Sequence, residues 1–307
     1  MLWQTMPATR RARTANALPP YLKHRPKPPQ WLDDQAGPKG CPGWLAEKAN
    51  DFDNIPTFHQ KLSAIISYCM GAKWERNLDM VEVCSGFGET SYHIRNNGGA
   101  AQEYDAVTRH IDEDIYTTKG LLLLFYHLSR IRPGGAAMMS PACSSWGFLC
   151  FFITGRHITV HGHLEKIDVE VANYICEVLS TAMVFLYMRK VGYILEQPGR
   201  SKYLDHPSCV AAAKTTLAKC YETYLKPFGH PMEKSTALLS NLGDERMLPL
   251  LKQRPPWTAR TTEDEKFWGV KGANQWTTAG PDLSKSEHYP TEFAKTLATA
   301  SAGQRER

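Results

Sequence analysis

Short apolar runs alternate along the chain with longer amphipathic stretches. The runs predict four buried strands, at Met80–Cys84, Ala101–Tyr104, Ala136–Ser140 and Tyr193–Glu196. Helical spacing of apolar side chains predicts helices at Trp44–Ala72, Gly86–Asn97, Thr118–Ile131, Val169–Lys190, Ser208–Cys220 and Pro290–Ala300. Pro133-Gly134-Gly135 is expected to end the third helix, and a last strand pair is predicted at Tyr221–Pro227 and Ala237–Ser240. Strands that alternate with long helices indicate an α/β fold, with a mostly parallel sheet and helices on both of its faces.

Charge is distributed unevenly along this pattern. Residues 1–43 are basic and rich in proline and are predicted to form a flexible tail. Within them, residues 1–32 carry six arginines and lysines and no acidic residue. Without those six, 30 basic and 31 acidic side chains remain, so the net charge of +5 comes from the tail. Any attraction for nucleic acid therefore depends on the tail or on local patches. One domain is expected over residues 44–300, with an irregular insertion at 242–287 and a short tail at 301–307.

The cysteines and the apolar runs limit the cellular compartments in which the protein is expected. The eight cysteines form no CxxC pair, and several lie in apolar runs, where a reduced cysteine behaves as a small hydrophobe. This pattern predicts an intracellular protein. The arginine-rich start is typical of an organelle transit peptide, a basic nuclear tail or a disordered extension, which leaves nucleus and organelle both open. No apolar run reaches the roughly 18 residues that span a bilayer, so no membrane association is expected. The sequence leaves protein partners undetermined.

A glycine-containing turn follows the first predicted strand, in Glu82-Val83-Cys84-Ser85-Gly86-Phe87-Gly88. Glycines allow positive φ angles and the close approach of a ligand, and the next helix points unpaired N–H groups into the same crevice. Ligands of open α/β sheets bind at this edge. We therefore expect a nucleotide-like cofactor, with Asp105 near its ribose and Asp114 near its base. The alternative is a tight turn that holds no ligand. Since Ser91 stands where GxGxxG has its third glycine, NAD is disfavoured.

Two later strands also end in residues that can carry chemistry. Ser140-Pro141-Ala142-Cys143-Ser144-Ser145-Trp146 follows the third strand, and Glu196-Gln197-Pro198 ends the fourth. A cysteine thiolate is a strong nucleophile, and a partly desolvated carboxyl group can donate a proton at neutral pH. Neighbouring strand ends would bring Cys143 and Glu196 into one site. The alternatives are a packed structural cysteine and a strand that is simply stopped by proline.

In this order, the three strand ends resemble motifs of S-adenosylmethionine-dependent methyltransferases, particularly the DNA cytosine-5 methyltransferases and their viral and algal relatives. Glu82–Gly88 is similar to their motif I, Pro141–Cys143 to their Pro-Cys loop, and Glu196–Pro198 to their ENV or EQP segment. Lys226–Asn241 and Tyr289–Ala294 are similar to later segments, so the resemblance extends discontinuously over residues 78–300. It implies a Rossmann-like methyltransferase fold, S-adenosyl-L-methionine as cofactor and DNA as a partner.

The resemblance also implies a role for each matched residue. Cys143 would attack C6 of a cytosine, and Glu196 would hold and protonate the ring. The cofactor would be held by residues of the turn and of the neighbouring strand ends, namely Glu82, Cys84, Ser85, Gly86, Phe87, Gly88, Asp105, Asp114, Ile115, Ser140 and Pro141.

The sequence departs from the family at three points. Ala142 replaces the proline next to the cysteine, and no QxRxR motif follows the second catalytic strand. A dedicated DNA-recognition domain is also lacking, because only residues 242–287 separate the last predicted strand from the closing segment. Two alternatives therefore stay open: methylation of RNA, a protein or a small molecule, and an inactive methyltransferase fold that serves as a binding module. His157, His161 and His163 lack cysteine or acidic partners at metal-binding spacing, so no metal is expected.

Overall fold

The computed structural model describes residues 40–147, 150–230, 233–253, 271–272, 275–276 and 289–302. Most of the predicted N-terminal tail and of the insertion, and residues 303–307, lie outside these ranges. Six strands form the main sheet: β1 (Leu78–Val83), β2 (Ala101–Tyr104), β3 (Ile131–Met139), β4 (Gly192–Pro198), β5 (Lys219–Tyr224) and β6 (Ser235–Ser240). The short strands β7 (Lys271–Gly272) and β8 (Gln275–Trp276) pair with each other.

Helices connect the strands. They are α1 (Gly43–Asp53), α2 (Phe58–Gly71), α3 (Glu89–Asn96), α4 (Thr118–Ser129), α5 (Phe151–Thr154), α6 (Ile167–Met188), α7 (Pro207–Thr215), α8 (Asp244–Met247) and α9 (Thr291–Ala302). Single 3-10 turns lie at Ile111–Glu113, Lys202–Asp205, Lys226–Phe228 and Leu248–Leu250.

The strand order of the main sheet is β2-β1-β3-β4-β6-β5. β2, β1, β3 and β4 pair in parallel, whereas β6 runs antiparallel to both β4 and β5. The predicted α/β class with a mostly parallel sheet is therefore confirmed, and the reversed strand lies between β4 and the edge. The carboxyl ends of β1, β3 and β4 meet at one edge of the sheet.

Side chains alternate along the central strands between two apolar cores, as a period of two requires. Val81 and Ala137 point into the larger core, which α1, α2, α4, α6 and α7 cover. Met80 and Ile194 point into the smaller core, against which α3 and α9 pack. Glu82 and Glu196 share the parity of Met80 and Ile194, so both carboxyl groups belong to the α9 face of the sheet.

Four predicted boundaries were wrong. The predicted helix Trp44–Ala72 is two helices, because the chain turns at Asn54–Thr57 around Pro56. Pro133-Gly134-Gly135 lies inside β3 rather than after a helix, in a bulge opposite β1 that lets Ile131 pair with Leu78. Further along the chain, α7 ends at Thr215, and the following strand begins at Lys219 instead of at residue 221.

α6 is the one described helix that is long and apolar enough, by length and composition, to cross a membrane. However, 72% of its most apolar stretch is buried inside the protein. A buried central helix passes the same test, and α6 packs against α4, α7 and β4 in the larger core.

Candidate functional site

The turn after β1 has the backbone geometry that its glycines predict. Cys84, Gly86 and Gly88 have positive φ angles of 55°, 56° and 70°, and Gly88 caps the N-terminus of α3. A Cβ atom on Gly88 would lie 2.9 Å from Cγ of the Glu103 side chain. The turn thus requires glycine at residue 88 for both backbone conformation and space.

Two arginines hold Glu103 in this position. Arg95 Nη1 lies 2.5 Å from Glu103 Oε1, and Arg109 Nη1 lies 2.8 Å from Glu103 Oε2. Glu103 is buried, so a side chain at residue 88 would have to displace a paired carboxylate rather than a mobile one.

Asp105 connects the ends of β1 and β2. Its Oδ2 accepts the Gly86 N–H at 3.0 Å, and its Oδ1 accepts the N–H groups of Val107 and Thr108 at 2.8 and 3.0 Å. The Thr108 hydroxyl in turn donates to the Gly86 carbonyl. Because a carboxylate has about four acceptor positions, these three N–H groups occupy most of the acceptor positions of Asp105. Its visible role is to brace the glycine turn.

Glu82 lies beneath the same turn and is 1% exposed. Its Oε2 accepts the Ser91 N–H at 2.8 Å, which ties β1 to the first turn of α3. Burial raises the pKa of Glu82 to about 7, although the hydrogen bonds from Ser91 partly offset this. Close to neutral pH, the Glu82 carboxyl group is therefore protonated in part of the molecules and ionised in the rest.

Asp114 and Ile115 are buried before the start of α4. Asp114 Oδ1 accepts the Tyr116 N–H at 3.0 Å, and the Ile115 carbonyl accepts the Tyr174 hydroxyl at 3.2 Å. A Cβ atom on Gly120 would lie 2.0 Å from the Asp114 carbonyl oxygen. These contacts fix the loop between β2 and α4 beside the turn.

Ser140 and Glu196 are joined through Tyr289, which lies just before α9. The Tyr289 hydroxyl is 2.8 Å from Ser140 Oγ and also hydrogen-bonds the Glu196 carboxyl group. The Tyr289 N–H donates to Glu89 Oε2 at 2.9 Å, which anchors the tyrosine to the start of α3. Tyr289 therefore connects three of the elements that meet at the sheet edge.

The Glu196 carboxyl group is almost fully buried under Tyr289. It is 6% exposed, and its Oε1 has no hydrogen-bond partner among the described residues. Burial raises the pKa of Glu196, while Lys234 and the Tyr289 hydroxyl lower it. Burial thus shifts this carboxyl group toward its protonated form relative to an exposed glutamate, and the protonated form can donate a proton.

The loop that carries Cys143 is hydrogen-bonded to β4 at one end and exposed to solvent at the Cys143 side chain. Pro141 is buried, and its carbonyl accepts from Gln197 Nε2 at 2.8 Å, which joins the loop to the end of β4. The Cys143 carbonyl accepts the N–H groups of Trp146 and Gly147 at 2.9 and 3.0 Å. The Cys143 side chain itself is exposed. The Gln197 side chain thus links the Cys143 loop to the end of β4, with the Cys143 side chain exposed and the Glu196 side chain covered.

Arg156 is a residue of this region that the sequence did not reveal. Its guanidinium carbon lies 3.3 Å from the ring centre of Trp146, and both side chains are buried. Nε and Nη2 donate to the Ser145 carbonyl and hydroxyl at 2.7 and 3.1 Å, and Nη1 donates to Asn173 Oδ1 at 3.0 Å and to the Val160 carbonyl. This arginine fastens the Cys143 loop to α6. Only the tryptophan two residues after Ser144 hinted at an anchor there.

The three histidines considered for a metal lie near this anchor. His157 Nδ1 is 3.0 Å from the Phe151 carbonyl, the His161 ring packs edge-on against His206, and a Cβ atom on Gly155 would touch the His163 ring. The described ranges contain no group of three or more histidine, cysteine or acidic side chains arranged to hold a metal ion.

Comparison of the chain with models of known protein families finds no matching family, and comparison with curated proteins finds no matching sequence. The class of the protein therefore follows from its fold alone. It is a mixed α/β protein with a six-stranded, mostly parallel sheet. Its strand order, with the antiparallel β6 hairpin, loosely resembles the methyltransferase fold.

Proposed function

We propose that the chain is an S-adenosylmethionine-dependent methyltransferase of the DNA cytosine-5 type, with Cys143 as the nucleophile and Glu196 as the proton donor. The observation that carries the proposal is the meeting of three strand ends. The glycine turn after β1, the Ser140–Cys143 segment after β3 and Glu196 on β4 lie on neighbouring parallel strands and share one edge of the sheet. Ligands of open α/β sheets bind at such an edge.

The turn fits the proposed cofactor in two respects. Among the described residues, the Ser85 hydroxyl and the Thr90 hydroxyl are buried without hydrogen-bond partners, so both remain able to bond a ligand. The Gly86-Phe87-Gly88 turn leads directly into the N-terminus of α3, where unpaired backbone N–H groups suit an anionic or polar ligand group. Glu82, Cys84, Asp105, Asp114, Ile115, Ser140 and Pro141 complete the proposed set of cofactor residues. When bound, S-adenosylmethionine would supply an electrophilic methyl group.

The two catalytic residues would act on the cytosine ring. The Cys143 sulfur forms a bond to C6 while Glu196 gives its proton to the ring nitrogen, and the electron pair released at C5 makes that carbon nucleophilic. Once C5 carries the methyl group, its proton would pass to water, the ring nitrogen would return its proton to Glu196, and the C6–sulfur bond would break, which restores the C5–C6 double bond and the thiolate. Burial keeps the pKa of Glu196 above the ordinary range, which suits a proton donor.

A second candidate function is a methyltransferase fold that binds a ligand without catalysis. Two observations favour it: Tyr289 covers the Glu196 carboxyl group, and three backbone N–H groups already occupy most of Asp105. In this alternative, Cys143 only lines the cleft.

Methyl transfer to DNA distinguishes the two candidates. We expect the protein to transfer label from S-adenosylmethionine to cytosine and to form a covalent adduct with DNA that contains 5-fluorocytosine. Cys143→Ser should abolish both signals. Cys220→Ser should leave both unchanged, because Cys220 is also exposed but lies on the edge strand β5. Transfer that persists in Cys143→Ser would exclude the nucleophile role.

Calorimetric titration with S-adenosylmethionine tests the cofactor separately. We expect binding that Gly88→Ala weakens, since the new Cβ atom meets the paired Glu103 side chain. Binding without transfer would favour the non-catalytic module. If millimolar cofactor gives no heat of binding, the proposed cofactor site is wrong.

A further inference from the structure

The strand β5 forms an open edge of the main sheet. It pairs with β6 on one side, and no strand among the described residues pairs with its other side. The register with β6 continues through all of β5 without a bulge. At the opposite edge of the sheet, β2 is buried along its whole length, whereas Lys219, Cys220 and Glu222 of β5 are exposed. A regular, exposed edge strand can accept a further strand.

The backbone groups of alternate residues in β5 point toward this open side. The Leu225 N–H donates to the Lys234 carbonyl at 2.9 Å, so in the same register the odd-numbered residues of β5 bond to β6. Because antiparallel pairing alternates, the N–H and C=O groups of Cys220, Glu222 and Tyr224 point away from β6. They are therefore placed to bond a strand that runs along the edge.

An apolar groove of about 470 Å³ adjoins the amino-terminal half of β5. It lies beside α7, and its walls include Val210, Leu217, Cys220 and Leu239. Leu217 is the most exposed large apolar side chain of the described residues, at 76%. Its φ angle is 56°, a left-handed conformation that favours glycine. In a single copy of the chain, both the exposure and the backbone conformation of this leucine are unfavourable.

The charges around this edge do not protect it from pairing. Lysine side chains commonly keep edge strands apart, but Lys219 Nζ lies 2.7 Å from Asp244 Oδ2 and is thus neutralised. Lys214 lines the groove and Glu222 lies on β5, and neither has an ion-pair partner in the part of the chain that the structure describes. One positive and one negative charge are therefore available to a partner that carries the opposite pair.

A second copy of the chain carries that opposite pair. Under a two-fold axis at Cys220, each Cys220 faces its counterpart, and Glu222 of the second copy faces Ala218. Since Ala218 and Lys214 both line the groove, each carboxylate would approach a lysine of the other copy. An axis at Lys219 would bring like charges face to face, and an axis further along the strand would move the carboxylate away from Ala218.

We propose that two copies of the chain associate through β5 as an antiparallel pair, in which Glu222 and Tyr224 of each copy enter the groove beside α7 of the other. The two main sheets then form one continuous sheet, and Leu217 is covered. The contact is isologous, because the same strand and groove serve both copies, so association stops at the dimer. The dimer requires neither cofactor nor catalysis and is independent of the proposed function.

Sedimentation velocity of the full chain over a concentration series tests the dimer. We expect the wild type to shift reversibly from the monomer mass to the dimer mass. Lys214→Glu and Glu222→Lys should each weaken association at least about tenfold, because each places like charges side by side. The double variant exchanges the two charges and should recover the wild-type association to within about threefold. The control is Lys73→Glu, an exposed substitution between α2 and β1 that should leave association unchanged.

Cross-linking with a short bis-maleimide locates the contact. Directly opposed residues of hydrogen-bonded antiparallel pairs have Cα atoms about 5.5 Å apart, so the two Cys220 thiols should lie within reach of the reagent. We expect covalent dimers from the wild type and from Cys143→Ser, which lacks the other exposed cysteine, and none from Cys220→Ser. By sedimentation, Cys220→Ser should still form the dimer.

Three outcomes would overturn the proposal. A wild type that stays monomeric at every concentration would leave the groove to another occupant, such as an extended apolar peptide. A double charge variant as weak as the single variants would show that Lys214 and Glu222 do not meet. Covalent dimers that persist in Cys220→Ser would place the contact elsewhere on the surface. Thermal denaturation of each variant verifies that it folds.

Discussion

The buried carboxyl group of Glu82 should make the stability of the protein depend on pH. Its pKa of about 7 compares with 4.5 for an ordinary glutamate, and the cause is burial. Because the folded state raises this pKa, the folded state binds the proton more tightly than the unfolded chain does. The stabilising effect of the proton is therefore complete below about pH 4.5 and is lost as the pH rises through 7. At roughly 1.36 kcal/mol per pKa unit, about 2–3 kcal/mol is lost between pH 5 and pH 8.

Glu82→Gln isolates this contribution, because the amide oxygen can still accept the Ser91 N–H but cannot ionise. Urea denaturation followed by tryptophan fluorescence, at steps from pH 5 to pH 8, gives the free energy of unfolding of both proteins. The variant should gain about 2–3 kcal/mol over the wild type across this range. The control is Glu47→Gln, an exposed substitution on α1 that should leave the profile parallel to that of the wild type. Parallel profiles for Glu82→Gln and the wild type would refute the reasoning.

Three further substitutions probe the neighbouring contacts. Gly88→Ala should lower the free energy of unfolding by at least about 1–2 kcal/mol, from the positive φ and the overlap with Glu103, and wild-type stability in urea denaturation would mean that the turn can relax. Arg156→Lys keeps the charge but loses the planar stack and part of the hydrogen bonding, so we expect a loss of about 2–3 kcal/mol by the same measurement, and an unchanged midpoint would contradict the anchor. Tyr289→Phe removes a hydrogen bond that lowers the pKa of Glu196, so the variant should lose more stability than the wild type as the pH rises from 5 to 8, and identical slopes would argue against that bond.

The strands of the sheet were predictable because their signal is local. β1 and β2 are short apolar runs that polar and glycine-containing turns enclose, and their positions agree with the prediction to within a few residues. β3 was predicted too short for a non-local reason. Its first residue, Ile131, pairs with Leu78 more than 50 positions earlier, and Gly135 passes so close to Asp79 that a Cβ atom would lie 2.4 Å from its carbonyl oxygen. No local pattern announces such a pairing.

The residues of the candidate site likewise fall into those that the sequence could predict and those that it could not. The glycine turn, Asp105 and Glu196 could be found because residues at strand ends share an edge in any parallel sheet. The partners of these residues could not. Tyr289 reaches Ser140 across 149 positions of sequence, and Arg156 is buried only because Trp146 and Asn173 come together around it. Before folding, Arg156 is simply one polar residue in a loop with three histidines.

The position of β6 has a consequence for synthesis of the chain. β4, which carries Glu196, is bounded by β3 on one side and by β6 on the other, and β6 is made later than β3, β4 and β5. When the nascent chain has left the ribosome only as far as β5, β4 is still an exposed edge strand. Its unpaired backbone groups can then hydrogen-bond to another copy of the chain. The Glu196 environment is therefore assembled last, by β6 and then Tyr289. Chains shortened before Ser235 should consequently accumulate as insoluble aggregates, which sedimentation of the translation products would detect.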